Sequence, residues 1–156
     1  MAFYVDFQYF RHGEEYVLKE LAILNSLLGL NHYTFKPPFN KSKLSFKDQK
    51  QATWLKLNYH ALTWDDGYVS YSQLPRILKQ GLSKAKEIYV KGEEKQEWLE
   101  KQGFKATNIE DLNFKYKIKN KYINGLRCIY HGNRGSGICS LQNIFFMRKK
   151  MINYKF

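Results

Sequence analysis

The alternation of apolar and polar positions predicts that the chain opens with three strands. Residues 2–10 are aromatic or aliphatic on both alternating faces, which is typical of a central strand covered on both sides. Residues 16–24 form the next apolar run and should pair with the first strand as a hairpin. Residues 32–36 resemble a third strand, and Pro37 and Pro38 end it because proline cannot donate to a strand ladder.

From residue 45 onward, helical and strand patterns alternate. Ser45 followed by Asp48 is a typical helix start, because a serine oxygen can accept the backbone N–H three residues later. Pro75 fits the first turn of a helix, and Gly103 fits the end of one. The predicted elements are, in order, a helix from Ser45 to about Tyr59, a helix after Ser72, a strand at residues 87–90, a helix at residues 93–102, a strand at residues 104–109 and a helix that begins near Ser140.

Three strands followed by alternating helices and strands is the element order of the ribonuclease H-like fold. We therefore expect an α/β protein whose mixed five-stranded sheet combines an antiparallel meander with two parallel strands. Helices should cover both faces of that sheet. No repeat, low-complexity run or linker interrupts the pattern, so residues 1–156 are expected to form a single domain.

The charge of the chain adds a prediction about partners. The sequence carries 26 Lys and Arg against 14 Asp and Glu, which gives a net charge of +12. Such an excess favours a polyanion, most simply RNA or another nucleic acid, although it can also serve only solubility. Lysines alternate with tyrosines and an isoleucine in one late segment, where phosphate contacts and base stacking on the tyrosines could combine. The candidate nucleic-acid-binding residues are Lys115, Tyr116, Lys117, Lys119, Lys121, Tyr122 and Arg134.

The most specific chemical pattern is a Cys-x2-His-x7-Cys arrangement near the C-terminus. It is formed by Cys128, His131 and Cys139, and a glycine-rich loop separates the histidine from the second cysteine. The apolar residues after Cys139 follow helical spacing, so its sulfur should lie at a helix N-terminus, which favours the thiolate. Two thiolates and one imidazole are three ligands of a tetrahedral zinc site, and a fourth ligand has to come from elsewhere.

Two simpler interpretations of the cysteines remain open. Each can be a small buried residue with no ligand role, or Cys128 can form a disulfide with Cys139. Charged residues interrupt the N-terminal apolar run, so nothing there resembles a signal peptide. A reducing, intracellular compartment, cytoplasmic or nuclear, is therefore expected, and it disfavours the disulfide. No apolar run is long enough to cross a bilayer, so a membrane partner is not expected.

Asp6, Phe7 and Gln8 on the first strand resemble the D-x-E motif that opens the DEDD-type exonucleases of the ribonuclease H-like fold. That family holds two magnesium ions with four acidic residues. Only the first of these acids is present here. Gln8 takes the place of the second, and Lys91 lies at the strand–helix junction where another acid is expected. Residues 139–143 lie where such enzymes have a histidine and an aspartate, and they contain neither. A carboxylate in a buried strand needs a partner or a metal ion, but two-metal cleavage is not expected.

A closer similarity is to the Maelstrom domain, a ribonuclease H-like relative that has lost the acidic set. From the strand pattern alone, Glu20 would be an edge or solvent-facing residue. The Glu-Cys-His-Cys zinc site of the Maelstrom domain matches Glu20, Cys128, His131 and Cys139, which implies a structural zinc that joins the last helix to the meander. The resemblance also implies RNA binding in small-RNA-guided transposon silencing. The chain is similar as well to uncharacterised insect proteins, and that similarity implies no activity.

Two other functions compete with RNA binding. Maelstrom-like domains are linked with single-stranded RNA cleavage that does not use the DEDD acids, and the catalytic candidates here are Asp6 and His60. A histidine such as His60 is more often a loop or core residue than a catalytic one, because nothing in the sequence fixes its geometry. A protein-interaction scaffold would expose its tryptophans, but Trp54, Trp64 and Trp98 are expected to be largely buried.

Overall fold

One long hairpin forms the centre of the fold. The computed structural model describes residues 1–112, residue 131 and residues 138–155. β1 (Ala2–His12) pairs antiparallel with β2 (Glu15–Asn25). Most side chains on both faces of these two strands are buried, so packing covers each strand on both sides. The predicted hairpin is confirmed, and both strands extend slightly beyond the apolar runs that predicted them.

Three shorter strands complete the sheet. β3 (Leu30–Thr34) pairs antiparallel with β2, β4 (Glu87–Val90) pairs in parallel with β1, and β5 (Thr107–Asn108) pairs in parallel with β4. The strand order β3-β2-β1-β4-β5 confirms the predicted α/β architecture with a mixed five-stranded sheet. β3 ends two residues before the predicted limit. The N–H of Phe35 still bonds to the carbonyl oxygen of Lys19 on β2 at 2.9 Å, but the N–H of Lys36 bonds to the carbonyl oxygen of Val69 at 2.8 Å.

In the described part of the chain, four helices and three short 3-10 turns accompany the strands. The helices are α1 (Phe46–Asn58), α2 (Leu74–Leu82), α3 (Glu93–Lys101) and α4 (Ser140–Lys155), and the turns are Lys41–Lys43, Tyr71–Gln73 and Ile109–Leu112. Ser45 Oγ accepts the N–H of Asp48 at 3.1 Å, as the sequence predicts. β5 is shorter than the predicted strand at residues 104–109, because the N–H of Phe104 still bonds to the carbonyl oxygen of Leu99 on α3 at 3.0 Å and the last turn begins at Ile109. None of these helices is long and apolar enough to span a membrane.

Helices cover both faces of the sheet, as predicted. α2 and α3 pack on the face of β1 that carries Phe3 and Val5. α4 packs on the opposite face, against Tyr4 and Ala22. α1 lies further along the α4 face, where it packs near Phe10. Two apolar clusters on one face and one on the other therefore enclose the sheet.

A β-bulge at Lys19 decides which side chains of β2 face α4. Gln8 pairs with Glu20 and Tyr9 pairs with Leu18, so Lys19 is the extra residue of β2. Because of this extra residue, Leu18 faces α2 and α3, whereas Glu20 faces α4. Lys19 is itself buried and donates to three carbonyl oxygens of the segments that follow β3. Burial lowers the pKa of Lys19 to about 8.

Candidate metal centre

Three side chains with metal-binding groups meet at one carboxylate oxygen beneath the start of α4. Glu20 Oε2 lies 2.8 Å from His32 Nε2, 3.0 Å from His131 Nε2 and 3.7 Å from Cys139 Sγ. The other oxygen, Oε1, accepts the N–H of Ser140, the first residue of α4, at 2.8 Å. Glu20, His131 and Cys139 are buried, so the centre is shielded from solvent on the α4 side.

Opposing effects of burial and hydrogen bonding set the charges in this cluster. Burial alone would raise the pKa of Glu20, but hydrogen bonds from His131 and His32 outweigh it and hold that pKa far below its ordinary value. Burial would likewise lower the pKa of His131, but contacts with Cys139 and Glu20 raise it to about 10. Glu20 is therefore held as a carboxylate and His131 as an imidazolium, and the carboxylate needs a positively charged partner. A divalent cation bound here would compete with the histidine proton, because a metal-binding imidazole must be neutral.

Three of these residues fit the requirements of a metal site. One ligand atom from each of Glu20, His131 and Cys139 lies within 4.8 Å of the other two. Cys139 immediately precedes α4, as predicted, so its sulfur lies at a helix N-terminus. A carboxylate oxygen, an imidazole nitrogen and a thiolate sulfur form a ligand set that zinc accepts. The fourth predicted ligand, Cys128, lies outside the described residues.

The orientation of the His131 ring is fixed from its far side. Its Nδ1–H donates to the backbone carbonyl oxygen of His60 at 2.5 Å, which directs Nε2 towards Glu20. Metal-binding histidines commonly make such a second hydrogen bond, because it fixes both tautomer and ring orientation. The loop that follows α1 thus supports the centre, a contribution that the Cys-x2-His-x7-Cys pattern does not reveal.

His32 is a member of the cluster that sequence reasoning missed. It lies on β3 opposite Ala22, two positions from Thr34, which is opposite Glu20. This register places His32 and Glu20 on the same face of the sheet, and the side chain of His32 remains 19% exposed. The alternation of β3 places His32 and Thr34 on one face, but only the register between β2 and β3 shows that Glu20 lies on that face too.

Asp6 is a second buried carboxylate on the same face, and its partner is a lysine. Its Oδ1 lies 2.5 Å from Lys95 Nζ, and its Oδ2 accepts from Asn143 Nδ2 at 3.0 Å and from Gln8 Nε2 at 3.4 Å. Burial would lower the pKa of Lys95, but the Asp6 carboxylate outweighs burial and raises it. Of the two requirements predicted for Asp6, a partner or a metal, the described residues supply a partner.

Comparison with other proteins adds no relative to this picture. No protein-family model, curated protein or solved structure matches the chain. The ribonuclease H-like and Maelstrom assignments therefore stay predictions. The group formed by Glu20, His131 and Cys139 could hold a metal ion, and the choice of zinc is the chemical expectation for that ligand set.

The remaining predicted site residues fall into two groups. His60 is 0% exposed, its ring packs edge-on against Phe10 with centroids 5.0 Å apart, and burial lowers its pKa to about 4. In this structure the ring therefore packs in the core, and its Nδ1 accepts the N–H of Leu62 at 3.0 Å. All seven predicted nucleic-acid-binding positions lie outside the described residues, namely Lys115, Tyr116, Lys117, Lys119, Lys121, Tyr122 and Arg134.

One prediction about the tryptophans is wrong. Trp64 is 3% exposed and Trp98 is 8% exposed, as expected. Trp54, in contrast, is 56% exposed. The buried residues of α1 are Asp48 and Ala52. The helix therefore directs these two small side chains towards the domain and its largest side chain, Trp54, towards solvent.

Proposed function

We propose that this chain is an RNA-binding domain on a ribonuclease H-like scaffold, with a structural zinc ion and without two-metal cleavage chemistry. The observation that carries the proposal is that Asp6 and Glu20, the two buried carboxylates on the α4 face of the β1–β2 hairpin, are engaged in internal contacts. The net charge of +12 supports a polyanionic partner.

The surroundings of Asp6 argue against metal-dependent cleavage. An ammonium group already neutralises this carboxylate at 2.5 Å, so a magnesium ion would have to displace Lys95. The adjacent cavity, lined in part by Asp6, Tyr59 and Asn143, has a volume of about 150 Å³. Ligand pockets usually have volumes of about 300–1,000 Å³, so this cavity is small for a nucleotide.

The metal centre is proposed to fasten α4 to the sheet. Glu20 on β2 and Cys139 at the start of α4 are far apart in sequence but in contact. His131 contacts Glu20 with one ring nitrogen and His60, in the loop after α1, with the other. A zinc ion held by these residues would join the three segments and stabilise only the folded state. As in other structural sites, the bound zinc supplies a link and no chemistry.

Filter binding tests the RNA-binding part. Purified protein titrated with a single-stranded RNA oligonucleotide should bind at low salt, and the affinity should fall as salt is raised because counterions are released. The double variant Asp6→Asn/Lys95→Met removes both charges of the buried pair, so it should bind about as tightly as wild type, and neither protein should shorten the RNA. Absence of binding at low salt would show that the proposal is wrong. Cleavage by wild type that the double variant abolishes would favour the nuclease alternative.

The Maelstrom resemblance implies small-RNA-guided transposon silencing as the setting for this binding, and we extend the proposal to that setting. A silencing assay with chains altered at Glu20 and at a distant exposed residue such as Glu100 tests it. Loss of silencing with Glu20→Gln alone would support the setting, whereas silencing that is unaffected by deletion of the whole chain would contradict it.

A further inference from the structure

The outer face of α1 exposes large apolar side chains that the fold does not use. Phe46 is 74% exposed, Trp54 is 56% exposed and Leu57 is 50% exposed. These residues and Lys50 follow one another at intervals of three or four positions, so they share one side of the helix. We call Phe46, Lys50, Trp54 and Leu57 the α1 stripe. Tryptophan is highly buried on average, so its exposure in this stripe requires an explanation.

The opposite side of α1 attaches the helix to the domain. Ala52 is buried in a cluster with Phe10 and Trp64. Asp48 is also buried, and its Oδ2 accepts the N–H of Gly13 in the β1–β2 turn at 2.8 Å. Because these contacts fix the position of the helix, the α1 stripe is available to a partner without any change in the core.

The surroundings of the α1 stripe are basic. Lys47, Lys50 and Lys56 are exposed on the helix, and Lys43 is exposed on the 3-10 turn before it. Between residues 40 and 64 the sequence contains a single acid, Asp48, whose carboxylate faces inward. Lys50 Nζ lies 4.7 Å from the centre of the Phe46 ring, so cation and aromatic ring are already associated.

We propose that the α1 stripe binds single-stranded RNA, with unpaired bases stacked on Trp54 and Phe46 and phosphates contacted by the neighbouring lysines. Exposed aromatic rings with lysines around them are what single-stranded nucleic acids require, because every unpaired base offers a face for stacking. A duplex keeps its bases stacked internally, so it gains only the charge contacts. The two rings are separated by eight residues, or about 12 Å along the helix axis, and therefore take different bases.

This inference deepens the RNA-binding function proposed above and rests on it. It adds a defined surface within the described residues, formed by another part of the sequence than the predicted segment at residues 115–122. It also names the occupant by its chemistry. The positive charge of the lysines and the absence of any exposed acid between residues 40 and 64 favour a polyanion over another protein surface.

Tryptophan fluorescence tests the proposal directly, because Trp54 is exposed whereas Trp64 and Trp98 are buried. A single-stranded oligouridine added to the purified full chain should quench part of the emission. Trp54→Phe should bind with similar affinity but lose that quenching, since phenylalanine still offers a ring. Trp54→Ala should bind about tenfold more weakly, the loss of roughly one stacked base.

Matched controls separate stacking and charge from general effects. Tyr68 is 73% exposed outside α1, so Tyr68→Ala should leave the affinity unchanged. Replacing Lys47 and Lys50 together with Gln should reduce the salt dependence of binding by about 1.4 in slope, corresponding to two lost phosphate contacts. Lys79→Gln, on α2 across the sheet, should have no comparable effect.

The possible outcomes distinguish this inference from the function on which it rests. If wild type binds RNA and Trp54→Ala binds equally well, the α1 stripe is not the site, although RNA binding stands. If wild type binds no RNA at low salt, both proposals are wrong. Self-association of wild type that Trp54→Ala abolishes, without RNA binding, would assign the stripe to a second copy of the chain and overturn the proposal.

Discussion

Two buried carboxylates on one face of the sheet have different kinds of partner. Glu20 faces two imidazoles and a sulfur, and Asp6 faces the ammonium group of Lys95. Both need positive charge, because an isolated carboxylate in the interior is costly. At Asp6 that charge belongs to the chain itself. At Glu20 it comes from a histidine proton that a metal ion can replace.

The comparison shows that burial of a carboxylate does not by itself indicate catalysis. The neighbours decide whether the group serves as half of an ion pair or as a metal ligand. The Asp6–Lys95 pair is complete without any added ion, whereas the Glu20 centre contains three residues whose ligand atoms already lie within 4.8 Å of one another.

Glu20→Gln should have the largest effect. The amide is a poor metal ligand and leaves His131 without its counter-charge, so we expect loss of bound metal and a decrease of about 5 kcal/mol in the free energy of unfolding. Denaturant titration and metal analysis measure both. Glu100→Gln is the matched control, because Glu100 is exposed on α3. Retention of metal and stability by Glu20→Gln would remove the distinction between the two carboxylates.

Lys95→Met should come next. It leaves Asp6 buried without its counter-charge, and we expect the free energy of unfolding to fall by about 4 kcal/mol with no change in metal content. The double variant Asp6→Asn/Lys95→Met should be less destabilised than Lys95→Met alone, because the uncompensated charge is gone. Strictly additive losses in this cycle would contradict the ion pair.

The support of the metal centre should be sensitive to acid through His60. Burial lowers its pKa to about 4, below the ordinary value near 6.5, so the unfolded state binds the proton more tightly. The associated stability is present above pH 6.5 and is lost as the pH falls through 4, a change of about 3 kcal/mol. The difference in unfolding free energy between wild type and His60→Asn should shrink by that amount from pH 7 to 4. If the unfolding free energies of the two proteins change in parallel with pH, the pKa of His60 is not lowered in the folded state.

Asn143→Leu should have the smallest effect. Asn143 Nδ2 donates to Asp6 Oδ2 at 3.0 Å from α4, and Lys95 still neutralises the carboxylate when this bond is lost. We expect a decrease of about 1.5 kcal/mol, typical of a hydrogen bond to a charged group. Thermal unfolding of the full chain measures it. A loss as large as that of Lys95→Met would mean that α4, and not the ion pair, secures Asp6.

Local sequence signals predicted much of the fold. The hairpin, the start of α1 at Ser45 and the position of Cys139 before α4 follow from alternation, capping and helical spacing, which involve neighbours in sequence. Glu20 came from a family resemblance and not from its own pattern. The structure places it beside His131 and Cys139, so that part of the predicted ligand set is brought together.

What the sequence did not reveal depends on distant contacts. His32 joins Glu20 only through the register between β2 and β3, and Lys95 reaches Asp6 only because α3 packs beside β1. The bulge at Lys19 decides the face on which Glu20 lies. The burial expected for Trp54 was wrong for a related reason. Asp48, on the opposite side of α1, bonds to Gly13 in the β1–β2 turn, and this distant contact decides which side of the helix faces the domain. No periodicity encodes these pairings.

Native mass spectrometry of the full chain, purified without added metal, tests the proposed zinc centre most directly. We expect a mass increase equal to one zinc ion per chain in wild type and in Lys95→Met, and the bare mass in Glu20→Gln and Cys139→Ser. A bare mass for folded wild type, or a zinc ion that persists in both Glu20→Gln and Cys139→Ser, would contradict the proposed centre.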